Sequence, residues 1–248
     1  MLIDTHCHLD HELFSKNIPN LIEDCKSKKM RAIINNGLNY ESNVSTLKLA
    51  KTYELIKASL GLYPLEAEKI TITDFKKLKE LIFKNSNDII SIGEIGLDGK
   101  YGKNIKLQEK YFKLLIEISK EINKPVIVHS RQAEAKLVEM LKLSNHEKVV
   151  MHSFTGNKKV AKEVINNNWY FSIPPAILNS KHFQFLVEIT PIDNLLTETD
   201  SPYQYTNNEF NKPFFVEYSL KIISQIKNID FDTTSKIIFN NYKKIFKR

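Results

Sequence analysis

The chain has 248 residues, 42% hydrophobic and 26% charged, the balance of a soluble globular protein that folds without staples. Two cysteines, Cys7 and Cys25, with no CxxC pair, exclude a zinc ribbon and a dithiol redox motif. The net charge of +7 fits an anionic partner such as nucleic acid, although lysines scattered over every helical segment also make an ordinary solvated surface.

Along the chain, short runs rich in Ile and Val alternate with longer amphipathic segments, the pattern of βα units around a parallel sheet. Strands are predicted at Leu2–Thr5, Arg31–Asn35, Ile56–Leu60, Ile89–Gly93, Pro125–His129, Lys148–His152, Trp169–Ile173 and Asn194–Thr197. The clearest predicted helix runs from Leu107 to Ile122, with Leu107, Tyr111, Leu114, Leu115 and Ile118 at helical spacing. Roughly eight strands in about 200 residues is the count of an α/β protein of the (β/α)8 barrel type. Pro213–Ile226 and Phe231–Phe246 then read as extra C-terminal helices that close the bottom or side of one barrel domain spanning residues 1–248. An open doubly wound sheet is the second choice, because no Gly-rich phosphate loop follows the first strand. No apolar run approaches a membrane span, and the opening MLIDTHCHLD lacks the apolar core of an export signal. A cytoplasmic protein with no membrane partner is expected.

In such a barrel, catalytic groups come from the C-terminal ends of several strands, and ligand-type residues collect there in this sequence. The first strand leads into Asp4-Thr5-His6-Cys7-His8. His6 and His8, two apart in extended chain, point to one face and can share a metal ion. The fourth leads into Gly93-Glu94-Ile95-Gly96-Leu97-Asp98, where glycines allow close backbone approach and the Glu94 carboxylate can bridge two cations. His129 follows Val126-Ile127-Val128, and His152 follows Val149-Val150-Met151. The remaining histidines, His11, His146 and His182, fall in loops or helices and are assigned no role in the chemistry. The eighth strand leads into Thr197-Glu198-Thr199-Asp200-Ser201-Pro202. Glu198 and Asp200 share a face if this stretch stays extended, and Asp200, nearer the loop, is the preferred base. Together His6, His8, Glu94, His129, His152 and Asp200 supply enough donors for two divalent ions, with positions left for water and substrate. Paired ions about 3.5–4 Å apart suit phosphoryl displacement by a water whose pKa they lower.

The motifs DTHCHLD, GEIGLD, PVIVHSR, HSFTG and TETDSPY, in this order, resemble the TatD-type metal-dependent deoxyribonucleases of the amidohydrolase superfamily, along essentially the whole chain. The resemblance implies a distorted TIM-like barrel, with His6, His8, Glu94 and Asp200 on one ion and Glu94, His129 and His152 on a second. It also implies Mg, Mn or Zn as cofactor, exonuclease-like cleavage of DNA, and Glu94 and Asp200 as the catalytic carboxylates. Two elements depart from the family's pattern. Where the family commonly has Gly-x-His-Pro after the third strand, this chain reads Gly61-Leu62-Tyr63-Pro64; a neutral tyrosine can hydrogen-bond a phosphate but is a poor metal ligand. Where it often has Arg-Asn-x-Pro after the eighth strand, this chain reads Phe210-Asn211-Lys212-Pro213, which leaves Lys212 to replace the missing cation.

On the substrate side, Arg131, Tyr63 and Ser153 are the candidate contacts, with Ser130 and Thr155 beside them. Arg131 can clamp phosphate oxygens or pair with Glu134. Tyr63, Tyr203 and Tyr205 can stack a base or pack the rim. DNA is the expected substrate, and a monomer or weak oligomer the expected assembly. The scaffold also suits an aminoacyl-tRNA ester, an amide or a lactone, and that alternative stays open. The intact ligand set argues against a non-catalytic binding module.

Overall fold

The computed structural model describes residues 1–206 and 208–246, with the Tyr205 side chain outside the described set. Eight strands follow one another around a single parallel sheet: β1 (Leu2–Cys7), β2 (Met30–Asn36), β3 (Ile56–Leu60), β4 (Ile89–Asp98), β5 (Val126–Arg131), β6 (Val149–His152), β7 (Tyr170–Ile173) and β8 (Leu195–Thr197). Helices separate the consecutive strands, so the architecture is the (β/α)8 barrel that the alternating pattern predicts. The strand interiors and the inner helix faces join in one continuous apolar cluster.

The barrel is distorted at one seam. Just beyond β8, Ser201 bridges to Cys7, the Asp200 amide donates to the His6 carbonyl and the His8 amide to the Ser201 carbonyl, at 2.8 and 2.7 Å, and hydroxyl groups add further ties. Thr5 Oγ1 donates to the Thr197 carbonyl at 2.9 Å, and Thr197 Oγ1 donates to the Ile3 carbonyl at 2.7 Å. Just beyond β8, the Thr199 amide and hydroxyl both donate to the buried Asp4 carboxylate, at 3.0 and 2.6 Å. The helices Val216–Lys227 and Phe231–Phe246 pack against β1 and β8 over this seam. They therefore close the side of the barrel.

Several strands run further than predicted, β1 reaching Cys7 among them. β4 continues past Gly93 to Asp98, and β5 continues past His129 to Arg131. They extend each other: after a register shift between Ile92 and Ile95, Gly96 pairs with His129, Leu97 with Ser130 and Asp98 with Arg131. The glycines mark close approach here and not a strand end. At Gly96, whose φ is 150°, a Cβ would strike the His129 carbonyl oxygen, and a Cβ on Gly61 would strike the Gly93–Glu94 peptide. Glu94 consequently projects from within an extended strand, close to both neighbours.

The helix Ile105–Glu121 shows how the outer layer is built. The Asn104 side chain caps it by accepting from the Leu107 amide at 3.1 Å. Tyr111, Phe112, Leu115, Ile116 and Ile118 are buried, and the helix packs on β4. Leu114, expected in the apolar stripe, is 40% exposed. At about 100° per residue it points away from the centre of the buried face, set by Gln108, Phe112, Leu115 and Ser119.

Candidate metal centre at the barrel mouth

The strand ends bring the predicted donors together. His6 and His8 come from the end of β1, Glu94 from β4, His129 from β5 and His152 from the last position of β6; Asp200 lies just beyond β8. All are buried except Asp200, which is partly exposed. His6 Nε2 and His8 Nε2 lie 3.2 Å apart. Glu94 Oε2 is 3.4 Å from His6 Nε2 and 3.6 Å from His8 Nε2, while Asp200 Oδ1 is 3.6 and 3.4 Å from the same atoms. Ligands about 2.1 Å from a tetrahedral ion stand about 3.4 Å from one another. His6 and His8 fit that spacing with each other and with each of the two carboxylates. The other Glu94 oxygen faces a second group, with Oε1 2.8 Å from His129 Nδ1 and 3.9 Å from His152 Nε2. Glu94 is thus shared, one oxygen turned to each group.

Behind three of the imidazoles stands an oxygen that orients the ring. His8 Nδ1 is 2.9 Å from the Asn36 carbonyl, His129 Nε2 is 3.3 Å from Asp98 Oδ2, and His152 Nδ1 is 2.9 Å from Glu198 Oε2. Such partners place the proton on the outer nitrogen and leave the inner lone pair free for an ion. The Ser172 hydroxyl also donates to the Glu198 carboxylate. His6 is held differently: its ring stacks on His152 with centroids 3.6 Å apart and planes 14° apart, and its Nδ1 has no hydrogen-bond partner among the described residues.

The segment after β8 is not extended. Asp200 has a left-handed φ of 55°, so Glu198 and Asp200 do not share a face. Glu198 turns inward onto His152, whereas Asp200 turns to His6 and His8. Glu198 is fully buried and therefore stands behind the site.

The electrostatics favour carboxylates that stay ionised. Burial pushes Glu94 upward, but His6 and His129 outweigh it and hold the group well below the usual carboxylate range. Asp200 is likewise raised by burial and lowered more by the hydrogen bond to His8 and the charges of His152 and His6. Burial and the neighbouring His152 press His6 down to about 4. Burial also disfavours the His152 cation, but the Glu198 carboxylate prevails and lifts the ring to about 10. A cation at this centre would compete with that proton for the ring.

The cavity over these donors measures about 370 Å³, and Tyr63, Arg131, Tyr203 and Gln204 form its outer wall. Tyr63 stands edge-on to His129 with centroids 5.1 Å apart, and Tyr203 edge-on to His8 at 5.4 Å. The Tyr205 side chain lies outside the described residues. Arg131 does not pair with Glu134. Its guanidinium reaches Asp98 at 3.4 Å and lies over the Tyr101 ring at 5.3 Å, while Glu134 accepts from the Gln132 amide and the Thr155 hydroxyl.

Ser153 does not line the cavity. Lys212 does not line it either; it pairs with Glu209 at 3.0 Å. The neighbouring Asn211 is buried and pins the loop that carries Asp200, donating to the Thr199 carbonyl at 2.8 Å and accepting from Thr206 Oγ1 at 2.6 Å. The histidines set aside in the sequence have local tasks. His11 caps the turn Glu12–Ser15, His182 contacts the Phe154 carbonyl at 3.1 Å, and His146 is buried against Ser119 at 2.9 Å. Sequence reasoning gave no role to Asp98. One signal was available, since Asp98 lies four positions after Glu94 and so on the same side of an extended strand.

Comparison with known proteins gives the family. The family model described as "TatD related DNase" matches residues 3–247. An uncharacterized metal-dependent hydrolase of Bacillus subtilis, YabD, is 33% identical over 100% of this chain and 99% of its own length. The human deoxyribonuclease TATDN3 is 28% identical over 99% of this chain and 94% of its own. Among solved structures, the Escherichia coli TatD homolog YJJV superposes with a TM-score of 0.92 at 24% identity, covering 100% of this chain and 98% of that one. The chain, a hydrolase acting on ester bonds, belongs to the TatD-related DNase family of metal-dependent hydrolases.

Proposed function

We propose that the protein is a deoxyribonuclease that hydrolyses phosphodiester bonds at DNA ends with two divalent ions, Mg, Mn or Zn. His6, His8, Glu94 and Asp200 would hold one ion, and Glu94, His129 and His152 the other. The observation that carries this reading is the shared Glu94 carboxylate, whose two oxygens face two separate donor groups. The donor spacing and the mixed imidazole–carboxylate chemistry fit such ions. When bound, paired ions polarise the phosphoryl group and make water a better nucleophile near neutral pH.

The chain's own residues supply the rest. Asp200 stands at the mouth as a carboxylate and accepts the proton of the attacking water. Arg131 is placed to take phosphate oxygens, and Tyr63 to donate a hydrogen bond, because burial first and the Glu94 and Asp98 charges next keep its phenol protonated. Ser153, outside the cavity wall, takes part in substrate binding only through a longer reach. The human relative's name, deoxyribonuclease, supports DNA as substrate. Two unpaired buried cysteines suit the reducing cytoplasm. No described helix is long and apolar enough to cross a membrane.

The test is incubation with end-labelled single-stranded DNA and Mg, Mn or Zn, with and without chelator. Chelator-sensitive release of short products is expected. Intact DNA beside turnover of an aminoacyl ester or lactone would overturn the nuclease reading and leave the hydrolase.

A further inference from the structure

Asp98 closes β4 beneath the cavity and is fully buried, yet it is not a donor of either ion group. Its two oxygens have different surroundings. Oδ1 accepts from the Lys100 and Tyr101 backbone amides at 3.0 and 2.8 Å. Oδ2 is approached by three side-chain donors: Tyr63 Oη at 3.3 Å, His129 Nε2 at 3.3 Å and Arg131 Nη1 at 3.4 Å. An oxygen with two good lone-pair directions cannot bind three donors equally well. Arg131 has the loosest hold, because its side chain is 42% exposed and is also supported by the Tyr101 ring.

From this arrangement we infer that Asp98 is a positioning residue that ties the cavity wall to the second ion group. Its Oδ2 accepts from His129 Nε2, so that when an ion takes the place of the proton His129 Nδ1 shares with Glu94 Oε1, at 2.8 Å, the ring stays protonated on Nε2 and Nδ1 can turn its lone pair to the ion. The same oxygen parks Arg131 at the edge of the cavity, from which a phosphate can draw it. When Arg131 leaves, one competitor for Oδ2 is removed and the contact to His129 tightens. Phosphate engagement and ion binding then strengthen each other, and by linkage the coupling acts equally in both directions. The inference rests on the two-ion reading for its metal arm only.

Asp98→Asn is the discriminating substitution. The two backbone amides need an acceptor, so the Asn carbonyl takes the place of Oδ1 and its NH2 takes the place of Oδ2. That NH2 then faces three donors. His129 can meet it only by giving up the Nε2 proton, which leaves the ring neutral with its one proton on Nδ1, the nitrogen turned to Glu94. Nitrogen-detected NMR of the metal-free protein reads this directly: Nε2 is expected protonated in the wild type and unprotonated in the variant. Manganese titration should show one site weakened about 10- to 100-fold, the usual cost of losing a partner behind a ligand, and the other unchanged. In the wild type, inorganic phosphate should tighten the same manganese site that Asp98→Asn weakens, and Arg131→Met should remove most of that effect.

Wild-type protein with an unprotonated His129 Nε2 overturns the inference whether or not the variant folds. So does an Asp98→Asn protein that binds both manganese ions normally. If phosphate strengthens manganese binding equally in wild type and Arg131→Met, the Arg131 link is wrong. The NMR result stands or falls independently of DNA cleavage, so failure of the nuclease reading is distinguishable from failure of this one.

Discussion

Glu198 stands directly behind His152, its Oε2 2.9 Å from Nδ1, and both are buried. Replacing Glu198 with Gln keeps an acceptor for the ring but removes the negative charge that holds the His152 proton on the outer nitrogen. It also buries an amide NH2 at the position of Oε1, which has no hydrogen-bond partner among the described residues. The expected outcome is a loss of roughly 10- to 100-fold in affinity for one ion, with the fold retained. Metal content after dialysis against graded chelator measures it.

Glu94→Gln is expected to weaken both ions, because one carboxylate serves both donor groups. Activity should fall at least about 100-fold, beyond what loss of an outer partner costs. Calorimetric titration with manganese or zinc checks whether both binding steps weaken. A variant that loses only one would show that Glu94 does not bridge.

Asp200→Asn tests the proposed base. It keeps the side-chain volume and a carbonyl toward His8, but cannot accept a proton from water. Turnover should drop about 100- to 10,000-fold, with circular dichroism and thermal midpoint close to those of the wild type. Single-turnover rates on end-labelled DNA at saturating metal separate this chemical effect from weaker metal binding.

His146 gives a pH prediction remote from the site. Burial, with Lys120 and Lys148 adding to it, lowers its pKa from 6.5 to about 4. A depressed histidine is neutral in the fold and more readily protonated in the unfolded chain. The folded state is therefore favoured above about pH 6.5 and loses this advantage as the pH falls toward 4. Relative to His146→Gln, the wild type should lose on the order of 2 kcal/mol between pH 7 and pH 4.5. Urea unfolding of both proteins at the two pH values measures the difference.

The donors were legible because a barrel converts strand ends into one shared mouth, and apolar runs mark strand ends well. His129 and His152 follow such runs directly, and His6 and His8 follow the first. The supporting groups were harder to read. Asp98 and Glu198 act through a ring on another strand, and nothing local in sequence says which ring. Glu198 was also misplaced, because the left-handed backbone at Asp200 breaks the alternation that would align the pair. The end of β4 was misread for a related reason. Glycine is usually a breaker, but at Gly96 it serves close contact with His129, and contact across strands is invisible to local pattern.

The seam between β1 and β8 bears on how the centre comes into being. Its hydroxyl and carboxylate ties join Asp4 to Thr199, within two residues of His6 and one of Asp200. Apart from the shared Glu94, one donor group is therefore drawn from opposite ends of the barrel sequence, the other from its middle. During synthesis, Glu94, His129 and His152 can gather as soon as their strands pair. His6 and His8 must wait for Asp200 until the last strand closes on the first. A metal-loaded centre is in that sense the mark of a finished barrel, and an ion held by His6, His8 and Asp200 would tie the two sides of the seam together.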